Sequence, residues 1–140
     1  MANYHVRFNI TIPLTDEQKE YAIETYKKVK NREKVPLPED FPKELSEFMD
    51  DWHFTLNSSE HAFFISDNSQ INTSIYPVGH FIRHLIKTFH LPPVLLQYSI
   101  FHHNSPDKEE IIYLEITEKV VQPRSSDEWL IKMGSNANIK

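Results

Sequence analysis

The sequence contains no cysteine and only two glycines, Gly79 and Gly134. Without cysteine the chain can form no disulfide, thiolate metal site or cysteine nucleophile, a composition compatible with a reducing compartment. Phosphate-binding and dinucleotide-binding loops need several glycines, because only glycine lets the backbone approach the ligand closely enough. Two isolated glycines cannot build such a loop, and no Gly-x-Ser-x-Gly hydrolase motif is present. We therefore predict no cofactor.

Long apolar runs and an excess of basic residues are also absent. The longest apolar segment is too short to span a bilayer, and no leader peptide is predicted, so we expect a cytoplasmic protein without membrane contact. Lys and Arg number 15 against 20 Asp and Glu, which gives a formal net charge of −5. Because non-specific affinity for nucleic acid comes from neutralising phosphates, this charge argues against a nucleic-acid partner.

The clearest pattern present is a strict alternation near the start of the chain. Polar residues separate five apolar ones, which are Tyr4, Val6, Phe8, Ile10 and Ile12. Side chains of a strand point to opposite faces with a period of two. The pattern therefore predicts a strand in a sheet with one packed face and one open face.

The remaining patterns predict a single α+β domain over residues 1–133 and a flexible tail at 134–140. A helix begins at the capping box formed by Thr15 and Gln18, ends near Asn31, and is followed by a short helix around Leu45. The other predicted elements are a hairpin of strands at 52–57 and 62–65, a helix at 77–89, a hairpin of strands at 95–102 and 111–117, and a short helix at 125–133.

This element order resembles a ferredoxin-like βαββαβ unit with an antiparallel-rich sheet and an extra edge strand. Its two main helices are expected to cover one face of the sheet. Right-handed connections then place the first strand centrally, between the strand that begins near Ala62 and the strand that begins near Leu95. The other sheet face is predicted to be open.

Parity along the strands predicts which side chains the open face presents. They are His5, Arg7, Asn9, Gln97, Ser99, Phe101, His103, Tyr113 and Glu115, of which all but Glu115 are the candidate binding residues. Such a polar face with aromatics suits a protein partner, a second copy of this chain or RNA, and an inert wet face is an equal alternative. We rank protein contact and self-association above RNA, because Tyr4 and Phe8 point inward and leave the central strands without base-stacking aromatics.

An enzymatic alternative comes from His53-Phe54-Thr55-Leu56, which looks like the His-x-Thr element of two-histidine phosphoesterases. In that family paired histidines act as acid and base on a phosphodiester. The nearest second copy, His103-Asn104-Ser105, departs from the pattern at its end. The strand order puts His53 and His103 about three strand spacings apart, roughly 14 Å. If the protein is an enzyme, His53, Thr55 and His103 are the candidate catalytic residues.

His80 and His84 have the i, i+4 spacing that lets two imidazoles reach one metal. Phe81 occupies the place where a zincin has glutamate, and no third ligand is evident. We therefore predict no metal site and expect both histidines on the solvated side of the helix, together with Arg83 and Lys87.

Several short motifs spread over most of the chain resemble a family of small uncharacterised bacterial proteins, some of them from plasmids and phages. These motifs are Asn3-Tyr4, Phe8, Ile12-Pro13-Leu14, Leu37-Pro38-Glu39-Asp40-Phe41-Pro42, Trp52-His53-Phe54 and Trp129-Leu130. Members carry a Cys-Ser-Lys-Pro segment where this chain has residues 101–106, and the family offers no active site to transfer. The resemblance implies a small accessory protein that binds and inhibits a host or defence protein. A non-enzymatic binding module is the function that we expect.

Overall fold

The computed structural model describes residues 4–46, 54–59, 63–67, 75–102 and 105–124. Within these ranges the chain forms three helices and a six-stranded antiparallel sheet, which confirms the predicted α+β class. The elements are β1 (Tyr4–Thr11), α1 (Asp16–Lys30), α2 (Lys43–Ser46), β2 (Phe54–Ser58), β3 (Phe63–Asp67), α3 (Tyr76–Phe89), β4 (Val94–His102), β5 (Ser105–Ile116) and β6 (Val121–Arg124).

The strands lie in the order β2-β3-β1-β4-β5-β6, and every neighbouring pair is antiparallel. The strand β1 lies between β3 and β4, as the sequence predicted. The complete order, with two further strands beyond β4, differs from that of a simple βαββαβ unit.

The ends of the two long helices follow local signals. Thr15 Oγ1 accepts from the Gln18 amide at 3.2 Å, and Gln18 Oε1 accepts from the Thr15 amide at 3.0 Å, so the predicted capping box is confirmed. A proline in the first turn opens α3, where its missing N–H has no intrahelical partner to lose. The helix ends at His90, whose φ of 55° lies in the left-handed region.

The core lies between the three helices and one face of the sheet. Inward side chains alternate along β1, where Val6 and Phe8 are 5% and 4% exposed. The ring of Tyr26 from α1 packs against Phe54 of β2 and Phe81 of α3. Among the described elements no helix covers the opposite face, so the predicted open face is present in this part of the chain. No described helix is both long and apolar enough to cross a bilayer.

The last hairpin differs from the prediction at its start. β5 begins at Ser105 and not at Ile111, so the strand starts six residues before the predicted one. Among the described strands β6 pairs only with residues 113–116 of β5, so residues 105–112 form an edge of this part of the sheet. Because a proline at an edge removes no ladder hydrogen bond, Pro106 can lie in the strand.

The strand β6 was not predicted, since it is four residues long and contains Pro123. It pairs with β5 alone among the described strands, where such a proline is tolerated. The predicted helix at 125–133, the predicted tail at 134–140, His53 and His103 lie outside the described residues. The single-domain boundary at residue 133 stays a prediction.

Candidate binding surface on the open sheet face

The strand register brings the predicted surface residues together. Arg7 of β1 is paired with Ser99 of β4, and His5 is paired with Phe101. Directly paired residues of antiparallel strands point to the same face. Gln97 pairs with Tyr113 of β5, and Asn9 pairs with Ser66 of β3, which extends the same polar surface to both sides.

Three of these side chains form a stacked cluster. The rings of His5 and Phe101 are 5.4 Å apart at an angle of 25°. The Arg7 guanidinium carbon lies 4.8 Å from the centre of the Phe101 ring, within cation–π distance. Arg7 is exposed, and in the described part of the chain no carboxylate lies within ion-pair distance of it.

Next to this cluster the open face forms a groove of about 580 Å³. Its lining side chains include the predicted residues Arg7, Asn9, Gln97 and Ser99, together with Glu109 and Ile111 of β5. Gln97, Asn9 and Glu109 are exposed. The groove therefore places guanidinium, amide and hydroxyl groups around one volume.

Ser99 differs from its predicted wet environment. It faces the groove but is only 7% exposed, because Arg7 and Ile111 are its paired neighbours on the two adjacent strands. Tyr113 lies on the same face and is half-buried, outside the groove lining.

Glu109 and Ile111 were missed by the sequence analysis. Ile111 and Ile112 are adjacent and both apolar, so composition alone does not say which of them points inward. Ile111 and Glu109 lie two and four residues before Tyr113. Side chains alternate between the two faces of a strand, so the sequence alone predicts that both share the open face with Tyr113. Ile111 is 51% exposed, a large apolar side chain among the polar side chains of the groove.

The alternative phosphodiesterase site has one described member, Thr55. It is exposed on β2, on the open face, and its strand is separated from β4 by β3 and β1. Three strand spacings amount to roughly 14 Å, the distance expected from the sequence. The structure does not bring Thr55 next to the Arg7 groove.

A second polar cluster lies on the helical side and joins three helices. His84 of α3 contacts Glu44 Oε1 of α2 through Nδ1 at 2.7 Å, and the Tyr21 hydroxyl of α1 through Nε2 at 2.7 Å. His84 is 7% exposed, so the prediction that it lies on the solvated side of α3 is wrong. No sequence signal links these residues, since Tyr21 and Glu44 are 63 and 40 positions away from His84.

Charge concentrates on Glu44 in this cluster. Arg83 Nη1 and Lys87 Nζ lie 3.5 and 3.7 Å from Glu44 Oε2. Burial raises the pKa of Glu44, but the hydrogen bond with His84 and the charges of Lys87, His84 and Arg83 outweigh it, so the pKa lies below its ordinary value. The ionised carboxylate only accepts, hence His84 Nδ1 carries a hydrogen.

The geometry indicates a structural role for this cluster. Glu44, His84 and Tyr21 satisfy one another, and none of them is among the residues that line the groove on the open sheet face. A catalytic relay needs a substrate cavity beside its terminal hydroxyl. Within the described ranges, no three histidine or acidic side chains converge as metal ligands do.

Comparisons with protein-family models, with curated proteins and with solved structures give no match for this chain. The functional proposals therefore depend on the arrangement of the chain's own residues.

Proposed function

We propose that this protein is a non-enzymatic binding module that contacts a protein partner through the open sheet face. The observation that carries the proposal is Arg7, exposed and stacked on Phe101 without an acidic partner in the described ranges. Arginine and aromatic side chains are enriched among the residues that dominate protein–protein binding energy. A stacked guanidinium also loses less conformational freedom on binding than a mobile one.

The apolar content of the face supports the same proposal. Ile111 is 51% exposed on the same face as the half-buried Phe101, with Ser99 between Ile111 and Arg7, and polar Gln97 and Asn9 line the same groove. An apolar centre with a polar rim is the usual anatomy of a protein interface. Self-association through this face is the alternative occupant.

Charge favours a protein over RNA. The chain carries a net charge of −5, and Glu109 lines the groove that contains Arg7. Both features oppose a phosphate backbone, whose binding needs several cations. The two-histidine phosphodiesterase remains the enzymatic alternative, with His53, Thr55 and His103 as its residues.

The biological setting of the binding module is part of the proposal. The resemblance to small bacterial, plasmid and phage proteins supports a cytoplasmic accessory protein that inhibits a host or defence protein. For the fold, we propose a ferredoxin-like unit of β1 to β4, supported by the antiparallel order β2-β3-β1-β4 and extended by β5 and β6.

The test compares two arginine substitutions at exposed apolar positions. Ile111→Arg alters the open face, and Val35→Arg alters a 68% exposed residue in the loop after α1. We expect a partner captured from the native host to bind the native chain and the Val35 variant equally. Its affinity for the Ile111 variant should fall at least about tenfold. Amide exchange of the complex should show protection on β1, β4 and β5.

Equal binding of both variants, or protection confined to the helices, would contradict the proposal. Hydrolysis of cyclic nucleotides or RNA that disappears in His53→Ala would establish the enzyme instead. A dimer that dissociates on Ile111→Arg, seen by light scattering, would identify a second copy as the occupant.

A further inference from the structure

We infer that the groove on the open sheet face binds one carboxylate, carried by an acidic side chain of the partner next to an aliphatic one. This inference rests on the proposed function and adds the chemistry of the recognised group.

Arg7 supplies the charge. Its guanidinium carbon lies 4.8 Å from the centre of the Phe101 ring, and a cation–π contact does not use up the N–H groups of the guanidinium as donors. Those edges match the two oxygens of a carboxylate in a bidentate pair. Since no carboxylate of the described chain lies within ion-pair distance, the pairing position beside Arg7 is free for a partner.

Ser99 is the second, independent observation. It is 7% exposed, it lines the groove directly beside Arg7, and among the described residues its hydroxyl has no hydrogen-bond partner. A carboxylate that pairs with Arg7 can accept one more hydrogen bond, from this hydroxyl, because each of its oxygens has a second lone pair.

The other residues of the groove indicate which groups should flank the carboxylate in the bound segment. The exposed amides of Asn9 and Gln97 can each donate and accept, which suits the backbone of an extended segment. Ile111 is half exposed on the other side and offers an aliphatic contact. The occupant is therefore a protein segment in which an acidic residue neighbours an aliphatic residue.

The single cation selects a carboxylate over a phosphate. Arg7 is the only basic side chain among those that line the groove in the described part of the chain, and Glu109 lines it as well. A phosphate group carries up to two charges and usually requires more than one cation. The negative charge of Glu109 disfavours that second charge.

The experiment is an amide-resolved NMR titration of the full chain with matched short peptides. The probe is the peptide Leu-Glu-Leu with both ends blocked, and its controls are blocked Leu-Gln-Leu, Leu-Gln-Leu with a free carboxyl end, and inorganic phosphate. We expect saturable shifts at the amides of Arg7, Gln97 and Ser99 with the Glu peptide. Its binding should be about tenfold tighter than that of the blocked Gln peptide.

Variants separate the roles of the two residues. Arg7→Lys keeps the charge but removes the bidentate fork, and Ser99→Ala removes the hydroxyl. Each should weaken binding of the Glu peptide by about threefold to tenfold. Arg124→Gln is the matched control, because Arg124 lies on the same face but pairs with Glu115. It should leave the affinity unchanged.

The inference fails if the Glu and Gln peptides bind equally, if phosphate or the free carboxyl end binds more tightly, or if no peptide gives saturable shifts up to about 10 mM. It also fails if Arg7→Lys and Arg124→Gln have the same effect. None of these results affects the outcome of the Ile111→Arg test. Carboxylate recognition can therefore be disproved while the proposed binding module is retained.

Discussion

Gly79 controls how closely α3 approaches the sheet. A Cβ placed on it would lie 2.6 Å from Val121 Cγ1 and 2.8 Å from Leu114 Cδ2. Leu114 is fully buried, so it has little room to move. Gly79→Ala gains about 1 kcal/mol of helix propensity, but overpacking typically costs 1–3 kcal/mol. The two effects together predict a net loss of up to about 2 kcal/mol in the free energy of urea unfolding.

A double substitution tests the cause of that loss. Adding Val121→Ala to Gly79→Ala removes the nearer of the two clashing atoms, so the double variant should lose less than the sum of the single variants. A coupling of about 1 kcal/mol is expected for residues in such contact. Additive losses would show that the close approach to β6 does not limit this position.

Two residues show when a sequence pattern can predict whether a side chain is buried and when it cannot. Phe8 was placed inward by alternation and is 4% exposed, because a strand fixes side-chain direction locally. His84 was placed outward, because Arg83 and Lys87 beside it indicated a solvated face. Its burial depends on Glu44, which the fold brings in from another helix, and no local rule anticipates that contact.

Among the elements, α2 shows how a very short helix can be held by the contacts of two side chains, one of which is the fully buried Leu45. Its four residues include Glu44, which contacts His84, Arg83 and Lys87 of α3. A helix of this length is not stable alone, so tertiary contacts must supply its stability. The elements with strong local patterns, β1 and α1, were predicted closely, whereas β6 exists because β5 offers an edge to pair with.

The pH dependence of the Glu44 cluster follows from its lowered pKa. A carboxyl whose pKa is lower in the folded chain than in the unfolded chain adds stability above the unfolded pKa, near 4.5. That contribution is lost as the pH falls through the folded pKa. We therefore expect Glu44→Gln to be less stable than the native chain at pH 7 by about 1 kcal/mol. The difference should shrink in acid.

The measurement compares urea unfolding at neutral pH and at pH values below 4.5. Tyr21→Phe is the control, because it removes the hydroxyl partner of His84 and leaves the carboxylate in place. Its stability difference from the native chain should persist on acidification. If the free energy of unfolding of Glu44→Gln equals that of the native chain at every pH, the ionised carboxylate has no stabilising role.

Across the molecule, helices and sheet enclose two tyrosines whose ionisation opposes folding. Burial raises the pKa of Tyr26 on α1 to about 12, and burial with the nearby charges of Tyr76 and Glu110 raises that of Tyr98 on β4 to about 12. A raised pKa means that the folded chain holds these protons more tightly than the unfolded chain, with its reference value of 10.0. Stability should therefore fall between pH 10 and about pH 12.

Thermal unfolding followed by circular dichroism over this alkaline range checks the expectation. Tyr98→Phe and Tyr26→Phe should each reduce the alkaline loss, and the double variant should reduce it further. Tyr26→Phe also removes the hydrogen bond to the Phe54 carbonyl, so it should be less stable by about 1 kcal/mol near neutral pH. If both variants lose as much stability as the native chain, other groups govern alkaline unfolding.

The edge strand β2 is tied to α1 near both of its ends. The Tyr26 hydroxyl donates to the Phe54 carbonyl at the start of the strand, and the Lys19 ammonium donates to the Ser59 carbonyl just after it, at 3.0 Å. An edge strand held only by its single neighbour would fray alone and expose a template for fibrils. Here β2 and α1 must open together, in one cooperative event, before the backbone of β2 can pair with a strand of another molecule.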